Sequence, residues 1–121
     1  MSVRALLLAA LVLLGHGAAA QPRAPLFEGM GSYRLGADSP RAEARRYADQ
    51  GMVLAYGFNP REAARSFEAA TRLDPDCALC WWGLAWSLGP TINADMAPED
   101  AATVADAAQR ARKLSARLPP A

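Results

Sequence analysis

The chain has 121 residues, with 13 Lys plus Arg, 12 Asp plus Glu, two cysteines and one histidine. This length allows one small domain and argues against most enzymes, and the balanced charge offers no field that would attract nucleic acid. The histidine, His16, lies in a predicted export signal. The mature chain would therefore lack the commonest general base and metal ligand, which excludes Ser-His and Cys-His catalysis. We expect no enzymatic activity and no cofactor.

Residues 1–20 have the pattern of that export signal. A basic start at Arg4 is followed by the apolar run 5–14 and by the small residues Ala18, Ala19 and Ala20, which fits cleavage before Gln21. The run is shorter than the roughly 20 apolar residues that span a bilayer. We therefore predict an exported protein, periplasmic or secreted, that is not inserted in a membrane after the signal is cleaved.

The mature composition favours an all-α fold, because alanine is abundant while valine and isoleucine are scarce. Residues 21–39 contain several prolines and glycines without a sustained period, which predicts an irregular N-terminal arm. Leu26, Phe27 and Tyr33 are the side chains that would dock this arm onto a core.

The first two predicted helices each begin at a polar residue followed by proline. Ser39 and Pro40 predict the start of a helix that runs to about residue 57 and whose apolar stripe reaches Phe58. Asn59 is the predicted cap of the second helix, and Glu62 is placed to close a capping box. The pair Asp74-Pro75 ends this second helix.

The third and fourth helices complete a helical domain over 40–118. Asp76 is the predicted cap of the third helix, which ends at Gly89-Pro90. A loop over 89–97 follows, and Pro98 opens a fourth helix whose last turns are basic. Residues 119–121 form a tail.

A shift of 34 residues reveals an internal repeat, with large and small side chains recurring in register. The chain resembles the tetratricopeptide repeat family, with repeat one at 44–77 and repeat two at 78–118. The residues that carry this resemblance are Tyr47, Gly51, Leu54, Ala63, Phe67, Ala70 and Pro75 in the first repeat, and Trp81, Leu84, Ala85 and Leu88 in the second. The first repeat departs from the pattern at Gln50, where leucine is usual, and the second has a longer loop and Ala105 in the place of Phe67.

The stretch from Asp74 to Asn93, which includes Cys77, Cys80 and Trp82, also resembles a group of longer exported bacterial tetratricopeptide proteins. The resemblance implies a helical solenoid of stacked helix pairs, which would present a concave surface to another protein or peptide. It implies no established catalytic activity. Because such units need neighbours to bury their apolar faces, we expect this chain to be part of a longer scaffold.

Cys77 and Cys80 are the sharpest chemical feature. In an exported protein a structural disulfide is the favoured interpretation. Thiol redox chemistry and metal binding remain alternatives, and copper(I) with help from Asp76 or Met96 suits the metal alternative best. Attachment of c-type haem is excluded, because Trp81 stands where histidine is required.

Two sets of residues are candidates for binding a partner. Trp82 and Trp86 lie four residues apart on one helix face, away from Trp81, and a core position is favoured for all three tryptophans over a ligand-facing pair. Asn93 and Asp95 in the 89–97 loop could present oxygens to a ligand, although capping of nearby backbone is the favoured role.

The function that these observations favour is a protein-protein interaction module with a protein or peptide partner. The alternative is thiol redox or copper-like metal handling through Cys77 and Cys80. Self-association is a further expectation, because the fourth helix carries an apolar stripe that no following helix covers. That stripe consists of Ala105, Ala108, Ala111, Leu114 and Leu118.

Overall fold

The computed structural model describes residues 23–119, and within them four α-helices and no strand are present. The helices are α1 (Ala42–Tyr56), α2 (Pro60–Leu73), α3 (Ala78–Leu88) and α4 (Ala101–Ser115), with a 3₁₀ turn at Pro98–Asp100 before α4. The all-α prediction is confirmed for this part of the chain. The predicted signal peptide and its cleavage point lie outside the described residues.

The residues predicted to end α2 and α3, and those predicted to begin α2, have these roles in the structure. Asn59 caps α2 by accepting a hydrogen bond from the Glu62 backbone N–H, and Pro60 is the first helical residue. Helices α2 and α3 end immediately before Asp74 and Gly89. The reciprocal half of the capping box was wrong, because the Glu62 carboxylate pairs with Arg65 at 2.8 Å instead of reaching back to Asn59.

The start of α1 differs from the prediction. The helix begins at Ala42, and Arg41 occupies the cap position without a side-chain hydrogen bond. Ser39 instead accepts a hydrogen bond from the Arg41 backbone N–H and donates one to the buried carboxylate of Asp74, which ties the arm to the end of α2. Phe58 also lies outside α1, with φ at 60° and a side chain that is 87% exposed, so its assignment to the apolar stripe was wrong.

The core is centred on Phe67, whose side chain is completely buried. Its ring lies between two glycines, Gly51 on α1 and Gly83 on α3. A Cβ atom at Gly51 would lie 2.7 Å from Phe67 Cδ2, and one at Gly83 would lie closer still. Because neither glycine carries a side chain, α1 and α3 can both approach α2 closely enough to enclose the ring.

The remaining residues that carry the repeat are buried to different degrees. Tyr47, Ala63, Ala70 and Leu84 are buried, whereas Leu54, Trp81, Ala85 and Leu88 are half-buried and Pro75 is exposed. Ala105, which stands in the register position of Phe67, is exposed on α4. The only residue of α4 that is buried is Ala107. The second helix pair therefore has a much thinner core than the first.

The N-terminal arm is irregular, as predicted, and is bound to α1 by hydrogen bonds. The Gln50 side chain accepts from the Phe27 backbone N–H at 2.7 Å and donates to the Pro25 carbonyl at 2.9 Å. The Tyr47 hydroxyl donates to the Ala24 carbonyl at 2.6 Å. Of the apolar side chains expected to dock the arm, only Leu26 packs against the core.

Phe27 and Tyr33 remain 44% and 48% exposed, so their predicted docking was wrong. The arm is held by backbone hydrogen bonds, two of them to the Gln50 side chain, and by four apolar residues that pack in or against the core: Ala24, Leu26, Leu35 and Ala37. The departure from leucine at position 50 thus has a structural reason in this chain. Over residues 23–119, no helix is both long enough and apolar enough to cross a membrane.

Candidate functional site

The N-terminus of α3 combines a disulfide with a cap from the distant arm. Cys77 and Cys80 are joined, with an S–S distance of 2.01 Å, which confirms the favoured interpretation of the pair. Cys77 is the cap residue, and its sulfur accepts a hydrogen bond from the Cys80 backbone N–H at 3.1 Å. Asp76, the predicted cap, is exposed and was wrongly assigned.

Asp38 supplies the acceptors that Asp76 was expected to provide. Its carboxylate accepts from the backbone N–H groups of Ala78 at 3.0 Å and Leu79 at 2.9 Å, across about 40 residues of chain. A carboxylate at this position is favoured by the positive end of the helix dipole. The arm therefore contributes directly to the first turn of α3.

The geometry around the cysteines bears on the redox and metal alternatives. Both cysteine side chains have an exposed fraction of 0%, so an external thiol has no path to either sulfur in this conformation. Within residues 23–119, no three or more His, Cys, Asp and Glu side chains are grouped closely enough to hold a metal ion. Asp76 therefore forms no such group with the two sulfurs, and Met96 is half-buried in the 89–97 loop.

A concave apolar groove lies beside this turn, between α3 and α4, with a volume of about 800 Å³. One wall carries Trp82 and Trp86, whose rings stack at 5.4 Å between centroids and 7° between planes. They are 41% and 40% exposed, so the expectation that both are core residues was wrong. No described element covers this side of α3, which leaves the tryptophan pair facing the groove.

The opposite wall comes from α4 and uses part of its predicted apolar stripe. Val104, Ala108, Ala111 and Leu118 line the groove, whereas Ala105 and Leu114 do not. The small side chains of Ala108 and Ala111 make this wall shallow. The groove thus has large aromatic residues on one side and small aliphatic residues on the other.

Two charged residues line the groove. Asp38 is occupied by its hydrogen bonds to the first turn of α3. Arg112 lies on the α4 side, and none of the ion pairs within residues 23–119 includes it. The groove therefore presents one guanidinium group that forms no ion pair with a carboxylate of the described chain.

Trp81 is separated from this pair, as the helical wheel predicts. Its indole N–H donates to the Pro75 carbonyl at 2.8 Å, and the Arg110 guanidinium lies 4.8 Å from its ring centroid. Arg110 also pairs with Asp106 at 2.8 Å. Trp81 is therefore held in place by groups on both sides, and it joins α4 to the turn that precedes α3.

The 89–97 loop does not bring its polar candidates to the groove. Asn93 and Asp95 are exposed and are absent from its lining. The capping role falls to Thr91, whose hydroxyl accepts from the backbone N–H groups of Asn93 and Ala94 at 3.2 and 3.1 Å. The aromatic surface extends instead toward α1, where Tyr56 lies 5.8 Å from Trp86.

Sequence reasoning missed Asp38 and Arg112. Asp38 lies in the irregular arm, where no local pattern points to a helix 40 residues away. Arg112 was seen only as one of the basic residues that suit the C-terminal end of a helix. Comparisons with protein-family models, with curated proteins and with solved structures find no match.

Proposed function

We propose that this chain is an exported tetratricopeptide-type interaction module that binds a protein or peptide partner in the groove between α3 and α4. The observation that carries this proposal is the stacked pair Trp82 and Trp86, which is about 40% exposed on the wall of an apolar groove. Tryptophan is enriched among the residues that dominate binding energy, particularly in concave, desolvated sites.

The exposed area of this pair is large enough to contribute substantially to the binding of a partner. A tryptophan side chain buries roughly 150–250 Å² when fully covered, so the exposed parts of the two together amount to about 160 Å². At about 25 cal/mol per Å², covering them contributes about 4 kcal/mol before the contacts of the α4 wall are added. This gross contribution offsets part of the free-energy cost of association, which is about 4–15 kcal/mol, so the other groove contacts must supply the net affinity.

The tetratricopeptide assignment is supported by the order of packing. Consecutive helices pair as α1 with α2 and α3 with α4, and α2 also packs against α3. Phe67 joins the two pairs by contacting Gly51 in the first and Gly83 in the second. The pattern of residues 1–20 supports export. The Cys77–Cys80 disulfide also supports it, because disulfides persist in oxidising compartments outside the cytosol.

Site-specific photo-cross-linking in the cells that make the protein tests this function. A photoreactive amino acid at Ala108 would face the groove, and the same group at Ala102 would also be exposed on α4 but outside the groove lining. We expect a discrete protein adduct from position 108 that is missing from position 102 and is lost when Trp82 and Trp86 are replaced by alanine.

The same experiment separates the proposal from its rivals. Identical adduct patterns from the two positions would contradict a partner in the groove. An adduct of twice the chain mass at position 108 would place a second copy there, which would replace a foreign partner by the self-association expected from the α4 stripe.

A further inference from the structure

We infer that the partner segment is an amphipathic α-helix of about three turns with a carboxylate beside its apolar anchors, and that this carboxylate pairs with Arg112. The inference rests on the proposed function and adds the partner's conformation and charge. It combines three features of the groove: helical walls, a limited length and one guanidinium group outside any ion pair of the described residues.

The walls favour a helix over an extended peptide. Helices α3 and α4 use their own backbone N–H and C=O groups within the helix, so they offer no row of partners to an extended chain. An extended peptide buried against apolar side chains would leave its backbone groups unpaired, at a substantial free-energy penalty. A helix satisfies these groups internally and presents only side chains to the groove.

The size of the groove sets the length of the segment. The lining runs from Ala78 to Gly89 along α3 and from Val104 to Ser115 along α4. At about 1.5 Å per residue each wall is about 16 Å long, which corresponds to a seated segment of about three turns. A segment of this length brings residues at i, i+3, i+4 and i+7 onto one face, which provides enough anchors to cover Trp82 and Trp86.

The charge expected on the partner follows from the two ionised residues that line the groove. Asp38 already accepts two backbone hydrogen bonds, at 3.0 and 2.9 Å, from the first turn of α3. Arg112 takes part in none of the ion pairs of residues 23–119, whereas its neighbour Arg110 is engaged by Asp106 and lies over Trp81. A carboxylate on the edge of the bound helix can therefore pair with Arg112 without displacing an existing bond.

A selection experiment tests the inference without knowledge of the natural partner. The full mature chain is immobilised and challenged with a phage-displayed library of 16-residue peptides, built on an alanine-rich helical frame with seven randomised positions on one face. Four baits are compared: the unaltered chain, R112E, the control K113E, and W82A/W86A. Lys113 is also exposed on α4 but is absent from the groove lining, so K113E matches the charge change of R112E.

We expect the unaltered chain and K113E to enrich apolar residues at i, i+3 or i+4 spacing together with Asp or Glu at one adjoining position. R112E should enrich Lys or Arg at that position, and a further bait, R112Q, should show neither preference. The selected acidic peptide should bind R112E about fivefold more weakly than the unaltered chain, as expected for a partly exposed ion pair.

The outcomes distinguish the inference from the proposed function. Apolar peptides without a charge preference, or an acidic preference that survives R112E, would overturn the pairing with Arg112 and leave the groove as a binding site. Selected sequences rich in proline or lacking helical spacing would overturn the helical partner. No enrichment above W82A/W86A, with the bait's melting temperature unchanged, would overturn both.

Discussion

The ring of Phe67 lies directly against the backbone of Gly83, with no space for a Cβ atom at that glycine. This contact joins the first helix pair to the second, because Phe67 is on α2 and Gly83 is on α3. The position of α3, and with it the orientation of the tryptophan wall of the groove, therefore depends on the absence of one methyl group.

Replacing Gly83 by alanine should destabilise the fold although alanine is the better helix former. The added methyl group would overlap the fully buried ring of Phe67, and overpacking of this kind costs about 2 kcal/mol. We expect the melting temperature of G83A to fall by about 10 °C. G51A should be milder, because its Cβ would lie 2.7 Å from the ring, which is farther than the Cβ of G83A would lie. Thermal denaturation followed by circular dichroism measures both changes.

A double-mutant cycle identifies the ring as the cause of this loss. In an F67L background the ring is absent, so the penalty of G83A should drop below about 0.5 kcal/mol in the free energy of unfolding. If G83A is equally harmful in both backgrounds, the loss has another origin, and the contact with Phe67 does not determine the approach of α3.

Gln50 should be essential for holding the arm although it departs from the repeat pattern. Its buried amide bonds to Phe27, Pro25 and Ser66, and replacement by leucine would leave these partners unsatisfied, at a cost of about 1–3 kcal/mol. In Q50L we expect trypsin to cut after Arg34 faster, while the helices melt as one unit. Q109L, which alters an exposed glutamine on α4, should leave the cleavage rate unchanged. Equal rates in Q50L and the unaltered chain would mean that the arm is held by other contacts.

The sequence predicts those features that short-range chemistry determines. Asn59 with Pro60 begins α2, and Gly89-Pro90 ends α3, because proline and glycine act on their immediate neighbours. The disulfide was also within reach, since the two cysteines are three residues apart and have no other cysteine to pair with.

Features that depend on distant packing could not be predicted in this way. Trp82 and Trp86 are favoured as core residues by their size, and their exposure depends on whether another element covers that side of α3. The role of Asp38 also depends on distant packing, because the cap that it provides requires the arm to lie against α3.

Asp38 should contribute to stability as the cap of a helix to which it is not adjacent in sequence. D38A would leave the Ala78 and Leu79 backbone N–H groups without their acceptor and should lower the free energy of unfolding by about 1 kcal/mol. D38N keeps one acceptor oxygen and should lose about half as much. Asp95 is exposed, so D95A should stay within about 0.5 kcal/mol of the unaltered chain. Chemical denaturation measures the series, and a neutral D38A would contradict the cap.

The Cys77–Cys80 pair should act as both a staple and a cap, and two variants separate these roles. Cross-linking so short a loop stabilises by about 2 kcal/mol in the chain-entropy description, so C77A/C80A should lose this amount and the sulfur that accepts from the residue 80 N–H. In C77S/C80A the serine hydroxyl can take over as cap, which should recover about 1 kcal/mol.

The unaltered chain under reducing conditions should resemble C77S/C80A more than C77A/C80A, since a thiol sulfur remains an acceptor, although a weak one. Urea denaturation of the three samples, with the thiol state confirmed by intact mass, gives the comparison. Equal stability of the two variants would show that the residue 77 side chain has no capping role. A reduced chain as stable as the oxidised one would show that the cross-link does not stabilise the fold.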